Sequence, residues 1–137
     1  MSSVSPAIAY AFAISSTSYS KDFHKYQNIV LRSRNPLYLF MFASLPGADV
    51  LRIQKALEPH MDGVMAYKFA LSIPDARVDR LQRIVLKEMK KFRNAKVAYQ
   101  FARDVIGADL DLLEREISRI GDPGWSRAFT LFIRGEQ

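Results

Sequence analysis

The feature that most restricts this chain is a short pattern that returns four times: an aromatic residue, any residue, phenylalanine, alanine. Tyr10-Ala11-Phe12-Ala13, Phe40-Met41-Phe42-Ala43, Tyr67-Lys68-Phe69-Ala70 and Tyr99-Gln100-Phe101-Ala102 are the four copies, and Arg127-Ala128-Phe129-Thr130 is a degraded fifth. Their phenylalanines stand 30, 27, 32 and 28 residues apart. Self-similarity at such a period marks a chain built from one supersecondary unit used repeatedly. A polar residue lies seven positions before each phenylalanine: Ser5, Asn35, Asp62, Asn94 and Asp122. These are helix-capping side chains, whose oxygen accepts from the free N–H groups of a first turn. Proline follows directly in Ser5-Pro6, Asn35-Pro36 and Asp122-Pro123, at the first helical position, where its missing N–H costs nothing.

The second half of the unit repeats as well. Pro46-Gly47-Ala48-Asp49-Val50 aligns with Pro74-Asp75-Ala76-Arg77-Val78 and with Ile106-Gly107-Ala108-Asp109-Leu110. Each reads as a turn followed by a helix cap, with Gly or Asp able to take the left-handed backbone. Apolar residues then recur at spacings of three and four: Phe23, Tyr26, Val30; Val50, Ile53, Leu57; Val78, Leu81, Val85; Leu110, Leu113, Ile117. This is one buried stripe per helix. After the middle stripe residue stands Gln27, Gln54, Gln82 or Glu114, a polar position in register that predicts a recurring hydrogen bond to a neighbouring turn.

The sequence therefore predicts helix pairs at about 6–15 with 22–33, 35–45 with 49–59, 62–73 with 76–92 and 94–105 with 109–120, then an unpaired helix from 123 to about 133. No stretch alternates with period two, so the fold class is all-α. Each pair leaves an apolar face for the next to cover, which predicts a short α-solenoid forming a single domain over residues 1–137. Its repeats fall at 5–33, 34–60, 61–92 and 93–121, with a partial copy at 122–134. The longest early apolar run, Pro6 to Ile14, has no basic residue ahead of it and is too short for a bilayer, so neither a secretory signal nor a membrane span is predicted. With 49% hydrophobic and 25% charged residues and no cysteine, the composition is that of a globular chain suited to a reducing, cytoplasmic setting.

The string from Ala98 to Asp109 (Ala-Tyr-Gln-Phe-Ala-Arg-Asp-Val-Ile-Gly-Ala-Asp), with Leu113-Glu114 and Gly121-Asp122-Pro123-Gly124-Trp125 after it, resembles a helical-hairpin repeat found in tandem in uncharacterised bacterial and bacteriophage proteins. The resemblance spans nearly the whole chain. It departs at Pro74-Asp75-Ala76-Arg77, which replaces the Gly-Ala-Asp turn, and at Ser15 to Lys21, a longer loop. It implies a bacterial or phage origin and the repeat architecture, and carries over no catalytic or binding residue.

Charge is concentrated in one place. Residues 77–96 hold eight cations against Asp79 and Glu88, which accounts for the whole formal net charge of +6. Residues 104–122 hold six carboxylates against Arg115 and Arg119. On the helix starting near Ala76, Arg80, Arg83, Lys87 and Lys90 follow three- and four-residue spacing, while Val78, Leu81, Val85 and Met89 take another side. Arg77, Arg80, Arg83, Lys87, Lys90, Lys91 and Arg93 are therefore the candidate binding residues. Such a stripe suits an acidic protein surface or a nucleic-acid backbone. A neighbouring acidic helix could equally balance it.

No carrier of catalysis is visible. The six glycines are single turn positions rather than a phosphate loop, and no serine sits in a nucleophile elbow. His24 and His60 are far apart, which leaves Asp109, Asp111, Glu114 and Glu116 as the only metal candidates, and these read more simply as the acidic start of a helix. Neither a cofactor nor a metal is predicted. The cluster Ser15 to Ser20 reads as a polar loop. The expected role is a non-enzymatic interaction module, a phage or bacterial adaptor or inhibitor bound to a host protein. The alternative is RNA or DNA binding through residues 77–96. The apolar first helix and the last helix, with Trp125, Phe129, Leu131 and Phe132, suggest either that each end folds back on the array or that it meets another molecule, as in a homodimer through these ends.

Overall fold

The computed structural model describes residues 5–15 and 21–135. Among these residues the fold is all-α, with nine α-helices and no strand: α1 Pro6–Ile14, α2 Lys21–Ser33, α3 Pro36–Ala43, α4 Val50–Leu57, α5 Gly63–Ser72, α6 Val78–Phe92, α7 Lys96–Asp104, α8 Leu110–Ile120 and α9 Pro123–Arg134. One 3-10 turn, Glu58–His60, prolongs α4. Ser16 to Ser20, most of the predicted serine loop, lie outside the described residues. No helix among them is long and apolar enough to cross a membrane.

The helix starts follow from the capping residues. Ser5 Oγ accepts from Ile8 N at 3.2 Å, Asn35 Oδ1 from Leu37 N at 3.0 Å, Asp62 Oδ1 from Met65 N at 2.7 Å and Asp122 Oδ1 from Gly124 N at 3.0 Å. Asp49 and Asp109 do the same for α4 and α8, through Arg52 N at 3.3 Å and Leu112 N at 3.1 Å. Each bond satisfies a donor that a helix cannot satisfy internally. The three inter-helix turns share one further bond, in which the N–H of Ala48, Ala76 or Ala108 donates to the carbonyl of Leu45, Ile73 or Val105.

Two starts differ from the expectation. Arg77 precedes α6 without capping it, because a guanidinium has no acceptor, and it turns instead to Asp79. Asn94 is not the cap of α7. Arg93 ends α6 in the left-handed conformation, φ 53°, and Asn94 N then closes onto Met89 O at 3.2 Å. That fold-back uses Asn94 to terminate α6, and α7 starts one residue later than its capping residue predicts, with Asn94 Oδ1 accepting from Lys96 N at 2.9 Å. The same left-handed junction occurs at Arg34, φ 54°, and at Gly121, φ 79°. Arginine pays about 1 kcal/mol for a backbone that glycine adopts freely.

The helices fall into two compact units, Met1–His60 and Met61–Gln137. The division comes between the second and third repeats. In the first unit α1 packs on α2 and α3, and α3 on α2 and α4. Phe23, Val30, Leu39, Phe42, Ile53 and Leu57 form its core, with the Phe23 and Phe42 rings 5.2 Å apart. In the second unit α5 packs on α6 and α7, α6 on α7 and α8, and α7 and α8 on α9. Phe69, Leu81, Val85, Phe101, Leu113, Ile117 and Phe129 make that core.

Four of the five register phenylalanines, Phe42, Phe69, Phe101 and Phe129, are fully buried. Phe12 is not: it is 51% exposed and stacks on Tyr26, ring centroids 5.6 Å apart. In this first copy α2 opens its stripe with Phe23, where the other copies have Val50, Val78 and Leu110. That larger ring is fully buried beside Phe42.

Gln27 and Gln82 lie 3% exposed and make the hydrogen bond their register predicts. Gln27 Oε1 accepts from Asp49 N at 2.8 Å. Gln82 Oε1 accepts from Asp109 N at 2.9 Å, and its Nε2 donates to Asp109 O at 3.3 Å. Each amide thus clasps the turn of the following hairpin. Gln54 is also buried and donates to Glu58 Oε2 at 3.0 Å. Glu114, at the same register, is exposed.

Candidate macromolecular interface

The predicted basic stripe lies on α6, opposite the residues that bury this helix. Leu81, Gln82, Val85, Leu86 and Met89 face the core. Arg83, Lys87, Lys90 and Lys91 are exposed, as are Arg77 and Arg93 at its two ends, and Arg80 is half-buried. Its members differ in how far they are free to meet a ligand. Arg77 holds Asp79 in a two-point pair, with Nε and an Nη each 3.1 Å from a carboxylate oxygen, and this bond holds the Asp79 carboxyl below its usual range.

Lys90 is the member that the acidic helix balances. Its Nζ stands 3.1 Å from Glu116 Oε2, while Arg119 donates to Oε1 at 3.1 Å. The Glu116 side chain is only 7% exposed, so two exposed cations neutralise a carboxylate sunk between α6 and α8. Oε2 accepts no aligned hydrogen bond, and its contact with Lys90 is one of charge. Glu88, the other acid of the block, is directed away from the stripe. Its carboxylate lies against Gly63 at the start of α5, where an added β-carbon would come within 3.3 Å of Oε1. The positive end of the α5 dipole favours a carboxylate there.

Arg83, Lys87, Lys91 and Arg93 are left with no carboxylate partner among the described residues. Beside them Phe92 is 63% exposed, with Lys91 Nζ 5.3 Å from its ring centre. Phe92 also borders a recess of about 180 Å³, whose other walls are Gly63, Val85, Glu88, Met89, Asn94 and Val97. A large exposed aromatic ring, a recess of mixed lining and unpaired cations thus share the C-terminal part of α6.

The other candidates from sequence do not converge on a site. Asp109 caps α8, Glu116 is held by Lys90 and Arg119, and Asp111 and Glu114 are exposed. Among the described residues no group of three or more histidines and carboxylates is placed to hold a metal ion. The aromatic residues of α9 are turned inward: Trp125 and Phe132 lie 5.5 and 6.4 Å from the Tyr99 ring, and Phe129 is 1% exposed. At the other end, Ile8, Phe12 and Ile14 of α1 remain about half-exposed.

Two groups of side chains leave no pattern along the chain. The first is Tyr67, Asp104 and Arg103. Tyr67 donates its hydroxyl to Asp104 Oδ2, and Arg103 grips the same carboxylate with Nε at 2.7 Å and an Nη at 2.9 Å while lying over the Tyr99 ring. The Arg103 bond holds the Asp104 carboxyl below its usual range, against the opposing effect of burial. Burial, followed by the Asp104 hydrogen bond, pushes the Tyr67 phenol up, so it stays a donor at neutral pH. An acid whose folded value is lowered contributes stability above the unfolded carboxylate value and loses it as pH falls through the folded one. The melting-temperature gap between wild type and Asp104→Asn should therefore hold steady from neutral pH down to about pH 4 and close below it. Thermal melts across that range check this.

The second group lies in the first unit, where α2 ends near α4. Two recesses of about 610 and 470 Å³ share Leu31, Arg34 and Arg52 as lining. Lys55, Ala56, Pro59 and His60 complete the larger, and Asn28 and Arg32 the smaller. These cations come from separated stretches and form no run in the sequence.

In comparisons with known proteins, no family model, no curated protein and no solved structure matches the chain. What bears on its function is the pair of cationic surfaces and the fold that presents them.

Proposed function

We propose that this chain is a non-enzymatic interaction module of the cytoplasm, built from stacked helical hairpins, that docks an acidic patch of another protein against the C-terminal part of α6. The observation that carries this is Phe92, exposed between Lys91 and Arg93 and lining a recess with Val85, Met89 and Val97. Protein interfaces are enriched in aromatic residues, Met and Arg at the centre, where an aromatic anchor and a pocket supply most of the affinity. The unpaired Arg83 and Lys87 alongside would steer and orient an acidic partner. Within each unit, first helices of successive hairpins pack on one another and glutamine clasps join the hairpins, as in a short α-solenoid. The resemblance to tandem repeats of bacterial and phage proteins fits an adaptor or inhibitor of a host protein.

A second reading has its own support. Arg83, Lys87 and Lys91 run along one exposed helix face, which suits the phosphates of a nucleic acid. Affinity purification from lysate of the native organism, with and without nuclease, separates the two. The expected result is one protein retained by wild type after nuclease and absent with Phe92→Ala and with Arg83→Glu/Lys87→Glu/Lys91→Glu. Recovery of nucleic acid and no retained protein, lost with nuclease and with Arg83→Glu/Lys87→Glu/Lys91→Glu but indifferent to Phe92→Ala, would replace protein docking with the second reading.

A further inference from the structure

We infer that the groove between the end of α2 and α4 binds the phosphodiester backbone of a single-stranded nucleic acid, at a site separate from the α6 surface. Arg32, Arg34, Arg52 and Lys55 line it, all of them exposed. None of the four pairs with a carboxylate among the described residues. Like charges gathered without a counter-charge repel one another, and an incoming polyanion relieves that repulsion.

The repeat itself supplies a comparison. By stripe register, Ala56 of α4 stands where α8 carries Glu116. On α8 that glutamate collects Lys90 and Arg119, so the cations there are balanced from within. On α4 an alanine methyl takes the place, and Arg34, Arg52 and Lys55 have no internal acid in the groove.

The backbone at Arg34 bears on the same site. It is left-handed, as it is at Arg93 in a matching junction, while the chain uses Gly121 at another. Non-glycine residues held in this region cluster at functional sites, where the side chain justifies the strain. At Arg34 the side chain lines both recesses.

Donor and acceptor chemistry selects the ligand. The charged side chains of the groove are donors only, and Asn28 Oδ1 is already taken by Arg52 at 3.4 Å. A peptide laid there would bring one N–H per residue with few side-chain acceptors to meet it. A phosphodiester strand brings acceptors along its whole backbone, and arginine forks match phosphate oxygens two at a time. Leu31, Ala56 and Pro59 give the groove an apolar lining against which bases can lie.

The test is fluorescence anisotropy with the full chain and a labelled oligothymidylate of about 20 nucleotides, enough to span a single-strand site. Arg34→Gln/Arg52→Gln should weaken binding by about tenfold and lower the salt slope by about 1.4, at about 0.7 for each single-strand phosphate that is no longer neutralised. Arg83→Gln/Lys87→Gln should leave affinity within about twofold. Arg34→Gly distinguishes ligand binding from a folding role, because relief of the left-handed strain should raise the melting temperature while affinity falls. The inference is overturned if the oligonucleotide does not bind, or if only the α6 variant loses it. It is overturned equally if pyrophosphate binds and the strand does not, or if polyglutamate binds as tightly as oligothymidylate.

Discussion

Phe101→Ala should lower the stability of the second unit by about 3–5 kcal/mol, whereas Phe12→Ala, the same substitution at the same repeat position, should cost about 1 kcal/mol or less. The difference comes from burial. Phe101 is fully enclosed on α7, a helix that packs against α5, α6, α8 and α9, so truncation leaves a cavity that several helices would have to close together. Protein interiors are too densely packed for much collapse, and the missing dispersion attraction around the cavity adds to the transfer energy of the removed ring. Phe12 is 51% exposed and rests on Tyr26, so its removal opens a surface notch that water fills. Since a domain of ordinary size is stable by only about 5–15 kcal/mol, the first change consumes a large fraction of that margin. Urea unfolding followed by circular dichroism measures both. Equal midpoints for the two variants would mean that repeat register, rather than burial, sets the cost.

Gln82→Leu should destabilise the second unit by about 1–3 kcal/mol, although leucine is apolar, of similar size and suited to a buried helix position. Gln82 is 3% exposed, and its amide both accepts from Asp109 N and donates to Asp109 O. Leucine would leave that N–H at a part-buried turn with no protein partner, while Asp109 O keeps its bond from Leu113 N at 3.1 Å, and the unsatisfied donor costs more than the added apolar packing returns. Faster hydrogen exchange at the Asp109 amide is the local signature of this mechanism, as distinct from a general loosening of α6. Glu114→Ala is the control at the same register. That residue is exposed, and its replacement should stay within about 0.5 kcal/mol of wild type. If Gln82→Leu were neutral, the clasp would be a by-product of packing rather than a contributor to it.

Both effects concern features whose positions are visible in the sequence but whose weights are not. The phenylalanine register marks five equivalent residues, and four are buried. The exception lies in the copy where α2 begins its stripe with Phe23, a side chain large enough to fill the space beside Phe42. The polar register marks four residues, and Gln27 and Gln82 clasp the following turn, while Glu114 faces solvent. The capping residues show the same limit. Ser5, Asn35, Asp49, Asp62, Asp109 and Asp122 cap as their chemistry requires, whereas Asn94 is used by the left-handed ending of α6.

The two cationic surfaces differ in the same way. The α6 stripe is legible because eight cations fall within twenty residues and helical spacing puts Arg80, Arg83, Lys87 and Lys90 along one side of α6. The capture of Lys90 by Glu116, and the placing of Glu88 against the start of α5, depend on which helices lie alongside. The groove of the first unit is not legible at all, since Arg32, Arg34, Arg52 and Lys55 meet only when α2 and α4 come together.

By itself the sequence determined where most helices start, which stripe each carries and that the chain is all-α, because capping, turn conformation and apolar periodicity act between residues within a turn or two of one another. The tertiary structure alone decided which register positions are enclosed, which charges are neutralised and where unpaired cations gather. Those depend on distances between residues far apart in the chain, and a repeat that looks uniform along its length gives its members different neighbours once it folds.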